Sequence, residues 1–205
     1  MPDNVLSALE QALVLDKKAL KDLLAFSAEN QNFRSSILDL IKAIDSSQGH
    51  VILSGVGKSG YIAKCISSSF SSVGISSFFL HPTEAAHGEL GAITSRNLLL
   101  LITKSGETAE LRLLIKYAKK HAIKIAIITT SPSSALAKQS DIVLSVPLSK
   151  ESGLFSSAPT TSSLLFLALA NALITTIAQS KKISKETFFD IHPGGSIGKK
   201  CPASF

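Results

Sequence analysis

From residue 50 onward the chain alternates short apolar runs with longer stretches of helical spacing, and this rhythm most limits what it can fold into. The runs are Val51–Leu53, Phe78–Leu80, Leu98–Ile102, Ile125–Ile128 and Ile142–Val146, with helices expected between them at 59–72, 108–121, 133–139 and 160–179. The runs are continuous rather than alternating, which is the pattern of strands covered on both faces. Strands separated by helices require right-handed crossovers. The expectation is therefore an α/β fold: a three-layer α/β/α sandwich around a five-stranded, mostly parallel sheet.

Ahead of the first run, residues 4–27 and 33–45 carry apolar side chains at helical spacing: Val5, Leu6, Leu9 and Leu13, then Ile37, Leu40, Ile41 and Ile44. They predict an antiparallel helical pair (1–45) joined near Asn30–Asn32 and packed on an α/β domain (46–205), one domain overall. Asn171, Thr175 and Thr176 interrupt the most apolar stretch, Leu164 to Ile177, so it reads as a buried helix and no membrane partner is expected. Met1 to Glu10 has no basic segment of the kind that opens a signal peptide, which points to the cytoplasm. Cys65 and Cys201 form neither a disulfide framework nor a zinc spacing. The formal charge of +6 comes from basic residues scattered along the sequence, and there is no Trp. That composition disfavours nucleic acid and suits a small anionic substrate.

In parallel sheets, ligands collect beyond the carboxyl ends of the strands. The first such loop is Ser54-Gly55-Val56-Gly57-Lys58-Ser59-Gly60. It is not a nucleotide P-loop, because the position five before Gly57 is Ile52, and no acid closes the next strand as a dinucleotide site would need. Its glycines can still bring backbone N–H groups to an anion at a helix N-terminus, with Lys58 as an electrostatic partner. The loop after the third strand, Thr103-Lys104-Ser105-Gly106-Glu107-Thr108, sets three hydroxyls around one glycine. It reads equally as a phosphate cradle or as a helix start capped by Ser105.

Several segments together resemble the sugar isomerase (SIS) domain family over about residues 35–200. They are Gly55–Gly60, Thr103–Thr108, His81-Pro82-Thr83-Glu84-Ala85-Ala86-His87-Gly88-Glu89-Leu90-Gly91, Ala158-Pro159-Thr160-Thr161-Ser162 and His192-Pro193-Gly194-Gly195. Within that family the chain is most similar to members that interconvert D-ribulose 5-phosphate and D-arabinose 5-phosphate, feeding synthesis of the lipopolysaccharide sugar Kdo. The resemblance implies a homotetramer with sites shared between subunits, and many members carry a pair of CBS domains after the Gly-Gly segment. It places catalytic residues at Lys58, Glu110, Glu151 and His192, with Glu151 slightly preferred over Glu110 as the base. It places substrate contacts at Gly57, Ser59, Gly74, Ile75, His81, His87, Thr103, Ser105, Gly106 and Thr108, and around 113–122 and Pro147–Ser149. It also allows an inhibitory zinc at His81, although the chemistry itself needs no cofactor.

The residue types fit such a reaction. Isomerisation moves a carbon-bound proton between C1 and C2 and requires stabilised enediolate oxygens, which acids, bases and a fixed positive centre supply. A histidine that titrates near neutral pH suits ring opening. The resemblance departs at Lys104, where an asparagine is usual, at Thr83, where a glycine is usual, and at Gly153–Ser157 beside Glu151. A hexulose 6-phosphate isomerase and a non-catalytic phosphosugar sensor are the competing readings.

Overall fold

The computed structural model describes residues 2–198 of the chain. Two helices open it, α1 (Pro2–Glu29) and α2 (Gln31–Ser46), separated by Asn30 alone. Asn30 leaves the helical region (φ −85°, ψ 105°), and its side-chain oxygen accepts from the Phe33 N–H at 2.9 Å, so one residue both ends α1 and caps α2. The link is thus shorter than the expected Asn30–Asn32 connection.

Five strands follow: β1 (Val51–Ser54), β2 (Ser77–Phe79), β3 (Leu98–Ile102), β4 (Lys124–Thr129) and β5 (Ile142–Ser145). Every pairing is parallel and the order is β2-β1-β3-β4-β5. Successive side chains of a strand point to opposite faces, and here both faces are apolar. Val51, Leu53, Leu98, Leu100 and Ile102 enter one core with α2, α3 (Lys58–Ser71) and α6 (Thr161–Ser180). Ile52, Leu99, Leu101, Ile125 and Ile127 enter the other, with α5 (Leu111–Lys120) and the region of α4 (Pro82–Ala86).

α6, of 20 residues, is long and apolar enough to span a bilayer, with a mean hydropathy of 1.7 in its most apolar window, but it buries Leu165, Phe166, Leu169 and Leu173 in the first core. It packs against α3 and α1, as the buried-helix reading of Leu164–Ile177 anticipates. The outer stripe of α1 stays open, with Val5, Leu6, Leu9 and Leu13 all more than half exposed.

Two expected helices differ. The segment 133–139 is only a 3₁₀ turn at Ala137–Gln139, because Ser134 closes two local turns: its N–H reaches the Ser131 carbonyl and its hydroxyl accepts from Ala137. α5 starts at Leu111 rather than at 108, for reasons that lie in the site. Beyond α6, the short helices α7 (Lys185–Asp190) and α8 (Gly195–Gly198) bury no residue and form an arm off the core. Cys201 and the end of the chain at Phe205 lie outside the described residues.

Candidate active site

β1 connects to β2 on one side, yet its other neighbour is β3, so the chain changes direction between β1 and β3. A crevice opens at such a switch point, outside the carboxyl ends. Its two walls are the loops singled out above.

The first wall leads from β1 into α3. Gly57 takes φ 59° and ψ −132°, a conformation open in practice only to glycine. Gly55 and Gly60 meet so closely that a Cβ on Gly60 would lie 2.8 Å from the Gly55 carbonyl oxygen. This turn delivers the N–H groups of Lys58 and Ser59 to the head of α3 with no side-chain cap and no acid in the first turn. Unsatisfied N–H groups and the positive end of the helix dipole favour an anion there, and the exposed Lys58 adds a full charge.

The second wall is loop 103–108. The buried Thr103 hydroxyl accepts from the Gly106 N–H (3.2 Å) and pairs with the Thr108 hydroxyl (3.0 Å). Gly106 has φ 65°, and a Cβ there would sit 1.9 Å from the Ser134 hydroxyl oxygen. The Lys104 carbonyl accepts from Thr130 N–H and from the hydroxyls of Thr129 and Thr130, while the Glu107 carboxylate accepts from Ala135 N–H at 2.7 Å. The loop is pinned to its neighbours and leaves Ser105 and its backbone toward solvent. Ser105 does not cap α5; its hydroxyl accepts from Glu107 N–H. The Gly106 turn finishes first, and the chain enters α5 through i→i+3 bonds from Leu111 to Thr108 and from Arg112 to Ala109. Glu110 therefore stands exposed at the cap position of α5 without a capping bond.

Glu151 is the most constrained carboxylate of the site. It is 2% exposed. One oxygen takes the Lys104 ammonium (2.8 Å) and the Ser162 hydroxyl (2.5 Å); the other accepts from the N–H groups of Thr160 and Ser162, each at 3.0 Å. Burial alone pushes its pKa up, but Lys104, both Ser162 donors and the Thr160 N–H outweigh it and hold the carboxyl at about 2. Such a group is the cap of α6 and a poor proton acceptor at neutral pH, contrary to the preference for it as the base. Ser162 and Thr160 escaped sequence reading as functional partners, although hydroxyl residues just before an apolar helical run are a helix-start signal.

His81 and His87 bracket α4 beyond the carboxyl end of β2. The His81 Nδ1 accepts from Thr83 N–H at 3.3 Å, which leaves Nε2 free. Among the described residues no cluster of three His, Cys, Asp or Glu side chains stands ready for a metal, so His81 alone does not fit a zinc site within one chain.

Three assignments are not brought to the crevice. Gly74 and Ile75 lie at the amino edge, where Ser76 carbonyl accepts from Val51 N–H; Gly74, with φ 74°, ends α3. α5 runs away from its first turn, so residues 117–122 approach the amino edge, while Pro147–Ser149 stay at the carboxyl edge after β5. His192 rides on the arm. Its Nδ1 lies 2.7 Å from the Phe188 carbonyl and its ring packs on Phe188 at 4.3 Å.

Comparisons with known proteins agree on the family. A family model described as SIS domain matches residues 46–176. The Rickettsia prowazekii protein RP505 is 44% identical over 85% of this chain and 54% of its own length. Arabinose 5-phosphate isomerase KpsF of Escherichia coli O6:H1 (strain CFT073) is 39% identical over 98% of this chain and 62% of its own. The chain thus spans little more than half the length of these curated relatives. Among solved structures, E. coli CFT073 c3406 in complex with arabinose 5-phosphate superposes with a TM-score of 0.86 at 32% identity, covering 93% of this chain and 98% of that one.

Proposed function

The chain belongs to the SIS domain family, and from that premise we propose that it is an aldose–ketose isomerase interconverting D-ribulose 5-phosphate and D-arabinose 5-phosphate. The observation that carries this reading is the uncapped head of α3 beside loop 103–108 at the switch point, in a chain that resembles a protein solved with arabinose 5-phosphate. Several relatives are named for this reaction. The product would enter Kdo and lipopolysaccharide synthesis in the cytoplasm, and no cofactor takes part.

In this reading the substrate phosphate lies between the two walls, held by Lys58 and Ser59 N–H groups and by Ser105 and Thr108. Lys58 steadies the charge that develops on the enediolate oxygens. Glu110, exposed at the mouth of the crevice, removes the proton from C2 of the aldose and returns it to C1. Glu151 takes no proton; it anchors the wall behind. His192 opens the sugar ring. A carbonyl can only accept, so the Phe188 contact fixes the hydrogen on Nδ1 of the neutral ring and leaves Nε2 as the acceptor.

The arm that carries His192 buries nothing in its own core, and α1 leaves an apolar stripe open. Both features support a homotetramer in which the arm of one copy completes the site of another. The testing experiment adds D-ribulose 5-phosphate to the purified chain and follows D-arabinose 5-phosphate by NMR. Formation of the aldose is expected. Saturable binding without conversion would overturn the isomerase in favour of a sensor, and neither binding nor conversion would point to another sugar phosphate.

A further inference from the structure

We propose that Lys104 is a positioning residue: its ammonium reaches from loop 103–108 to Glu151 and, through that carboxylate, locks the N-terminus of α6 and the base of loop 151–160 against the phosphate wall. The proposal rests on the isomerase reading for its consequence in catalysis, but the lock itself stands on geometry alone.

The contacts form one chain of bonds. The Lys104 backbone is tied by its carbonyl to Thr129 and Thr130 at the end of β4. Its side chain, 32% exposed, crosses to Glu151, which lies two strands further along the sequence. Glu151 in turn holds two N–H groups and a hydroxyl of the first turn of α6. Thr160 and Thr161 then close loop 151–160 on itself, taking Gly153 N–H (2.9 Å) and Ser152 N–H (3.0 Å) on their hydroxyls. At the tip, Phe155 is exposed with φ 57°, a left-handed conformation that a free loop would abandon. The charged groups about Glu151 are Lys104 from its loop, Asp16 of α1, which accepts from the Thr161 hydroxyl at 2.6 Å, and the exposed Lys150 beside it.

A lysine in this place therefore does not add free charge to the phosphate cradle. Its charge is spent on a carboxylate, and its effect on substrate comes through geometry. Removing the ammonium leaves Glu151 buried without a cation, and burial is what pushes its pKa up. Protonation would then release Oε2 from the α6 N–H groups within an accessible pH range.

The test uses the whole chain as wild type, Lys104→Met and Lys104→Arg, with Lys104→Asn as a milder replacement should the methionine variant not fold. The ¹H–¹⁵N resonances of Ser162 and Thr160 are followed from pH 7 to 3.5, and D-arabinose 5-phosphate affinity and turnover are measured at pH 7. In wild type the two amides should stay flat across the range. In Lys104→Met, or in Lys104→Asn, they should titrate with a midpoint above pH 4, and KM should rise about tenfold while kcat changes less than threefold. Lys104→Arg should restore both readouts. Flat amides in the variants, or an unchanged KM where wild type turns over, would overturn the proposal. A wild type that binds D-arabinose 5-phosphate without turning it over removes the isomerase reading alone; the lock is then judged on the amides and on the tenfold loss of affinity.

Discussion

Two long helices point their N-termini toward the carboxyl edge of the sheet, and the protein treats them in opposite ways. At α6 the chain supplies its own anion: the Glu151 carboxylate accepts from two first-turn N–H groups, and Asp16 accepts from the Thr161 hydroxyl. At α3 it supplies none, and a lysine stands at the first position instead. The same backbone electrostatics are satisfied internally where the anion is built in and stay open to an outside anion where it is withheld. The difference lies in a few side chains, not in the helices.

The comparison can be broken most severely at Glu151. Glu151→Ala leaves Lys104 without its partner and the head of α6 without its cap, and should cost about 3–5 kcal/mol in thermal or urea unfolding. Lys58→Met, by contrast, should barely move the melting temperature yet lower kcat/KM about 10²–10³-fold in the NMR assay. Acid tests the filled terminus without mutation. The folded pKa of Glu151 lies below its ordinary value of 4.5, so its contribution is full above pH 4.5 and is lost as pH falls toward about 2. Unfolding measured across that window should show on the order of 3 kcal/mol of lost stability, diminished in Glu151→Gln. Gly57→Ala should cost about 1–3 kcal/mol by straining the α3 turn, with phosphate binding lost in the same variant by calorimetry. The one stabilising change sharpens the contrast best: Ser59→Asp should stabilise the chain by about 0.3–1 kcal/mol while abolishing phosphate binding. An acid at α3 that left binding intact would undo the distinction between the two termini.

Most of the sheet was legible because each strand is an unbroken apolar run; β3 and β4 coincide with Leu98–Ile102 and Ile125–Ile128 to within a residue. The edge strand β2 was displaced by one residue: it runs over the half-buried Ser77–Phe79, and Leu80 is buried just beyond its end. Helix starts were less legible. The positive φ of Gly106 and the Thr103–Gly106 bond finish a turn before α5 begins, and nothing in local propensity distinguishes that turn from a cap. Lys58, Ser59, Ser105 and Thr108 could be placed on the two crevice loops from sequence because loop position is local. The Lys104–Glu151 pair was not, because it joins residues far apart in sequence and only the β3–β4–β5 order brings them together. Gly74 was readable as a glycine with a purpose, but its position after α3 makes that purpose helix termination.

The reversal between β1 and β3 also orders events in time. During synthesis β1 is the first strand to emerge, and β2 can join it as soon as α3 has followed, but the free side of β1 waits for residues 98–102. The crevice between the two loops does not exist until that strand has docked and its loop has closed. A ligand that needs both loops can therefore bind only after that strand has docked. Long-range parallel pairing is slow, so a ligand that binds only after it should retard unfolding far more than it speeds folding.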